Sequence, residues 1–234
     1  MIRALIAVTF WSTYVILASL IVIPHAVITG KSDLLWAVAM WGAKTGWRLA
    51  GVKLEVIGQE QLDPDQAYIY MSNHTSNLDP PIEVPALGRQ LSIMAKKELF
   101  KIPIFGTAMH IAKVVPVDRH NRQAAIESVH HAVEVLQSGV SMMVYPEGTR
   151  SRDGRLLPFK KGPFHMAMEA NVPIVPITIL NTHRLWPKGT FKIKPGTVKM
   201  IFHAPIHPAQ FANREDLMTA IRSQIASAIP DEGR

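Results

Sequence analysis

The stretch NRQAAIESVHHAVEVLQSGVSMMVY, residues 121–145, decides the fold class. Its first half repeats apolar residues at helical spacing, so that Ala125, Ile126, Val129, Val133 and Leu136 share one face. Asn121 is suited to cap that helix and Gly139 to end it, because a short polar side chain can take the first free amides and glycine accepts the left-handed turn that stops a helix. The second half, Val140–Tyr145, is a continuous apolar run, the pattern of a strand buried on both faces. A helix feeding directly into a buried strand is the repeating unit of an α/β domain.

The same alternation extends both ways. Toward the amino terminus, Val52–Ile57, Ala67–Met71 and Leu91–Ala95 read as strands. Toward the carboxyl terminus come a helix at Phe164–Ala170, a strand at Ile174–Ile179, a hairpin between Phe191 and Phe202, and a final helix from Arg214 to Ile229. The expected fold is α/β: a mixed, largely parallel sheet flanked by helices, with polar segments after strand ends, where such proteins place chemistry. Residues 51–234 are expected to form this domain and residues 1–50 a separate helical segment.

That segment has the makings of a membrane anchor. From Ala4 to Gly30 there is no Asp, Glu, Lys or Arg, a run longer than the roughly 20 residues a helix needs to cross a hydrocarbon core. A cleaved signal peptide is the competing reading, but no clear Ala-X-Ala site follows. Leu34–Ala50 differs, because Lys44 and Arg48 lie one helical turn apart and are costly at mid-membrane. Trp41 shares their edge, and Trp36, Met40, Ala43 and Trp47 form an adjoining stripe, a mixture suited to the headgroup level. The alternative is a buried helical pair packed on the domain.

The chain has 234 residues and no cysteine, which excludes a disulfide framework, a thiolate metal site and a cysteine nucleophile. A formal net charge of +7 suits nucleic acid, anionic lipid or a phosphorylated substrate equally. No arginine-rich helix, aromatic RNA-binding motif or zinc-finger spacing accompanies it, so nucleic acid is not an expected partner. His130 and His131 are adjacent on a helix, face about 100° apart and do not share a metal. No metal site is expected.

Two segments carry chemistry. The strand before Ser72 delivers Asn73-His74-Thr75-Ser76-Asn77-Leu78-Asp79-Pro80. An imidazole titrates near neutral pH, and a nearby carboxylate can fix its tautomer and favour the imidazolium. An isolated pair of this kind can equally be a loop histidine beside an aspartate that caps the next helix. The second segment, Tyr145-Pro146-Glu147-Gly148-Thr149-Arg150, leaves a buried strand through a proline and offers Arg150 as a planar fork for phosphate oxygens. Alone it is also ordinary turn chemistry. Lys96 and Arg119 follow two further apolar runs, so three cations stand on successive strand ends; a local Asp118–Arg119 ion pair is the simpler reading of the last.

Over Val52 to about Ile179 the chain resembles the 1-acyl-glycerol-3-phosphate acyltransferases, the lysophosphatidic acid acyltransferases of phospholipid synthesis. Four blocks match in order: Asn73 to Asp79; Ala95-Lys96-Lys97-Glu98-Leu99 with Val117-Asp118-Arg119; Tyr145 to Ser151; and Val172-Pro173-Ile174-Val175-Pro176-Ile177. Tyr145 departs from the phenylalanine that many members carry. The resemblance implies that His74 is the general base on the free hydroxyl of the lysolipid and that Asp79 orients it. It implies that Lys96, Arg119 and Arg150 hold the acceptor phosphate in a pocket shaped by Glu147, Gly148 and Thr149. It implies no cofactor: acyl-CoA or acyl-carrier protein is the co-substrate, lysophosphatidic acid the acceptor, and the phospholipid membrane the setting, with the site on the cytoplasmic face of a bacterial inner membrane. Other classes are an acyltransferase for glycerol-3-phosphate or another lysolipid, a membrane esterase or thioesterase, and an idle lipid-binding protein. A hydrolase would ordinarily show a Gly-X-Ser-X-Gly elbow, and none is present.

Overall fold

The computed structural model describes residues 2–103, 105–118, 122–190 and 192–230. The expected cap Asn121 and the candidate cation Arg119 lie outside them. Two helices lead, α1 (Ile2–Thr29) and α2 (Asp33–Leu49). Then follow β1 (Val52–Ile57), β2 (Ile69–Ser72), α3 (Asp79–Leu87), β3 (Leu91–Lys96), α4 (Phe105–Ile111), β4 (Val115–Val117), α5 (Arg122–Gln137), β5 (Ser141–Val144), α6 (Gly162–Ala170), β6 (Ile174–Leu180), the single turn α7 (Thr182–Leu185), β7 (Gly196–Phe202) and α8 (Arg214–Ser227).

The strands form one sheet in the order β1-β7-β6-β2-β5-β3-β4. The five strands from β6 to β4 run parallel, β7 is antiparallel to β6, and β1 is parallel to β7. This is the expected mixed, largely parallel sheet. The carboxyl ends of β2, β5, β3 and β4 therefore lie along one edge, which gathers the segments that follow them.

Strand periodicity explains the two layers of core. Ile69, Met71, Met142, Val144 and Ile174 point to the face covered by Val133 and Leu136 of α5, Phe164 and Met166 of α6, and Leu217, Ile221 and Ile225 of α8. The alternate residues Tyr68, Tyr70, Met143, Val175 and Ile177 point to the other face, against Val84 and Leu87 of α3 and Trp36 and Met40 of α2. Burial of each such side chain contributes about 1.5–3 kcal/mol.

Two sequence expectations need correction. The hairpin expected between Phe191, which lies outside the described residues, and Phe202 is not seen among the described residues of that span: residues 192–195 are irregular and a single strand, β7, follows. Its partners are β1 and β6, pairings that no local turn signal encodes. Asp79 does not cap α3 either; it is the first residue of that helix and Leu78 stands at the cap position. The short helix α4 and the turn α7 were not expected.

α1 is long and apolar enough to cross a membrane by length and composition. Leu5, Ile16, Leu20, Ile21, Val27 and Ile28 are exposed along it. It packs on α2 where that helix has no side chains: a Cβ at Gly46 would lie 1.9 Å from the Trp11 ring, and one at Gly42 would lie 2.1 Å from the Tyr14 ring. The polar ends of both rings are satisfied in the same contact, Trp11 Nε1 donating to Gly42 O at 3.2 Å and Tyr14 OH to Val38 O at 2.8 Å. The domain end of the pair is buried: Ala7 and Trp47 join Val52, Leu78 and Ile82 in a third apolar cluster. The helical pair is thus both packed on the domain and apolar along its outer face.

Candidate active site

β2 ends at Ser72, and Asn73 substitutes its side chain for the missing ladder. Its amide donates to Ile179 O at 3.0 Å and accepts from Ile179 N at 2.8 Å, so the chain can turn out of the sheet without leaving those groups unpaired. His74 is the first residue beyond this anchor. Its Nδ1 lies 2.8 Å from Asp79 Oδ2, with the carboxylate fully buried and the imidazole 16% exposed. The same oxygen accepts Thr75 N at 2.7 Å and Ser76 N at 2.8 Å. Asp79 also stands at the amino terminus of α3, where negative charge is favoured. Asp79 Oδ2 thus gathers two backbone N–H groups and the Nδ1 side of His74, which fixes the imidazole's orientation and leaves Nε2 as its other nitrogen.

Glu147 braces this loop from the neighbouring strand end. Its Oε1 accepts His74 N at 2.7 Å and its Oε2 accepts Leu157 N at 2.9 Å. Ser151 N completes the tie by donating to His74 O at 2.8 Å. Gly148 turns the chain at φ +68° against the Lys160 stem, Lys160 N donates to Pro146 O at 2.7 Å, and Thr149 is exposed. Arg150 hydrogen-bonds Asn77 Oδ1, while its carbonyl accepts from Lys188 Nζ at 2.8 Å. Main-chain and side-chain bonds thus join the two motif segments directly.

Burial pushes the Glu147 carboxyl up to about 7, with Asp79 adding to the rise and the two amides opposing it. A carboxyl raised on folding contributes stability that is fully present below its unfolded value and lost as pH rises through the folded one. The stability difference between the native protein and Glu147→Gln, measured by denaturant unfolding in detergent, should therefore shift against the native protein by about 3 kcal/mol between pH 4.5 and pH 8. A pH-independent difference would contradict this.

Lys96, at the end of β3, stands two strands from β2 on the same edge, roughly 10 Å away by strand spacing. It is half exposed and 3.6 Å from Glu98. Asp118, after β4, pairs with Lys97 from the adjacent strand end. The structure therefore brings His74, Asp79, Glu147 and Arg150 into one bonded cluster and sets Lys96 beside it, with Arg119 outside the described residues.

Sequence reading missed several contacts around His74. Tyr145 stacks on the His74 imidazole with ring centroids 4.0 Å apart and planes at 20°. Its hydroxyl donates to Glu83 Oε2 at 2.6 Å, and Ser72 hydrogen-bonds Glu83 Oε1. Glu83 lies four residues after Asp79, hence on the same helix face, and is a lone carboxyl among Ile82, Val84, Pro85, Ala86 and Leu87; that contrast was available in the sequence. Around the loop, Thr75 meets Thr182 at 2.8 Å, Ser76 Oγ donates to Trp186 O at 2.7 Å, and Trp186 stacks on Trp11 of α1. The site is thus linked to the apolar helical pair through one indole.

Comparison with known proteins agrees with this fold. The acyltransferase family model matches residues 53–180. A 1-acyl-sn-glycerol-3-phosphate acyltransferase of Limnanthes douglasii is 39% identical over 67% of this chain and 56% of its own length. One of Borreliella burgdorferi is 31% identical over 77% of this chain and 73% of its own. The chain spans about half the length of the plant relatives it matches. The crystal structure of the 1-acyl-sn-glycerophosphate (LPA) acyltransferase PlsC from Thermotoga maritima superposes with a TM-score of 0.83 at 26% identity, covering 97% of this chain and 94% of that one. With the family match spanning both motif segments and the sheet edge that joins them, the chain belongs to the acyltransferase family.

Proposed function

We propose that this chain transfers a fatty acyl group from an acyl thioester, acyl-CoA or acyl-carrier protein, to the sn-2 hydroxyl of 1-acyl-glycerol-3-phosphate, giving phosphatidic acid. The observation that carries the reading is the His74 Nδ1–Asp79 Oδ2 contact of 2.8 Å at a polar strand edge, in a chain similar to enzymes of that name. His74 Nε2 takes the proton of the hydroxyl as its oxygen attacks the thioester carbonyl. Asp79 stabilises the imidazolium, the tetrahedral oxyanion collapses, and the thiolate leaves and recovers the proton. Such a step needs neither a covalent acyl-enzyme nor a metal, because a thiolate is already a good leaving group.

Arg150, Lys96 and Arg119 would hold the acceptor phosphate in a pocket shaped by Glu147, Gly148 and Thr149. Among the described residues Arg150 spends one of its five N–H donors on Asn77, and the rest would serve phosphate oxygens. The acceptor and the acyl chains partition into the bilayer, in keeping with the apolar helix α1, and a thioester carrier that stays in the cytosol would meet the site at the cytoplasmic face of the membrane, the inner membrane in a bacterium. An acceptor panel tests this. Lysophosphatidic acid should be preferred over glycerol-3-phosphate and over lysolipids without a phosphomonoester. Arg150→Ala should raise the acceptor KM by roughly 10- to 100-fold, the loss of a charge-assisted bond. An equal effect on acceptors that lack the phosphate would contradict the assignment.

A further inference from the structure

Glu83 is fully buried and four residues from Asp79, whose carboxylate is also fully buried. Two buried carboxyls this close do not both hold a charge easily, and their partners decide which one does. Asp79 Oδ2 receives three N–H donors. Among the described residues Glu83 meets only hydroxyls, Tyr145 on Oε2 and Ser72 on Oε1. Ser72 has a single hydrogen and two acceptors within reach, Glu83 Oε1 and Asn73 O, the latter at 3.1 Å. All of these bonds are satisfied together when Glu83 carries a proton on Oε1 and donates it to Ser72 Oγ, while Ser72 donates to Asn73 O and Tyr145 donates to Oε2.

We propose that Ser72, Glu83 and Tyr145 form an uncharged hydrogen-bonded column that locks the Tyr145 ring as the floor beneath the His74 imidazole, making Glu83 and Tyr145 positioning residues for the base. Strand parity brings the parts together. Ser72 continues the Tyr68–Tyr70 face of β2, and Tyr145 continues the Met143 face of β5, both toward α3. The column begins at the peptide carbonyl immediately before His74 and ends on the ring under its imidazole, so it constrains both ends of that residue. Burial, with the charge of Asp79 beside it, pushes the Glu83 carboxyl well above the ordinary range, and burial beside Glu83 does the same to the Tyr145 phenol. Among the described residues the groups facing Glu83 are thus Asp79 on its own helix, Ser72 at the end of β2, and Tyr145 just after β5. The Tyr145 hydroxyl has a dedicated acceptor in Glu83 Oε2.

The inference rests on the acyl-transfer reading, and the unsubstituted protein separates the two: if it makes no phosphatidic acid, the function is wrong whatever the variants do. If it does, Glu83→Gln, which can accept from Tyr145 and donate to Ser72 without charge, should keep kcat within about twofold and leave the acidic limb of the pH profile in place. Tyr145→Phe removes the donor to a buried oxygen and should lower kcat by roughly three- to tenfold with the acceptor KM unchanged. A Glu83→Gln variant that folds, loses most of its kcat and shifts the acidic limb would show that Glu83 acts as a charge, overturning the proposal. Tyr145→Phe at native kcat would overturn it too, by showing that the hydroxyl holds nothing.

Discussion

Replacing His74 with alanine is expected to lower acyl transfer by about 10²- to 10⁴-fold, the usual worth of a positioned general base, without unfolding the protein. The loop that carries His74 is held mainly by its backbone: His74 N is bound by Glu147, His74 O by Ser151 N, and the preceding Asn73 side chain by Ile179. None of these bonds needs the imidazole. Asp79 would lose one of three donors, a cost of about 1 kcal/mol. Initial rates with saturating donor, beside thermal unfolding of both proteins, check the two halves of this expectation. Near-native turnover would remove His74 from the mechanism.

Asp79→Asn should produce a loss of similar size by a different route. An asparagine oxygen in place of Oδ2 can still accept Thr75 N and Ser76 N, and the amide nitrogen would occupy the place of Oδ1, which is buried and accepts no hydrogen bond from the described residues. The substitution thus preserves the loop at a cost of about 1–2 kcal/mol. What it removes is the negative charge against which the imidazolium forms, so transfer should fall on the order of 10²- to 10⁴-fold while the acceptor KM changes little. A large rise in KM with kcat intact would instead assign Asp79 to acceptor binding.

How much of this was legible in the sequence follows from what each element depends on. The α5–β5 unit was readable because its signals are local: a 3.6-residue apolar period, a glycine stop, and an apolar run. β7 was misread as part of a hairpin because its partners are β1, more than 130 residues away, and β6 across a 15-residue connection. The His74–Asp79 contact was readable because one turn holds both residues, and the turn that carries Glu147 and Arg150 because it follows a recognisable strand. Asp79 as a helix cap was wrong because its carboxylate faces back to the loop before it, where three N–H donors outcompete the single amide a cap would bind. The Tyr145–Glu83 contact required knowing that α3 packs on the face of the sheet to which Ser72 and Tyr145 point. Parity along β2 and β5 supplies half of that knowledge, and only the packing of α3 supplies the rest.

The most direct test counts phosphatidic acid and free fatty acid together while an acyl thioester is consumed in vesicles containing lysophosphatidic acid, with the native protein and with His74→Ala. Thiol release matched one for one by phosphatidic acid, and suppressed in both by the substitution, is the expected result. Thiol release matched by free fatty acid, with little phosphatidic acid formed, would show a hydrolase instead.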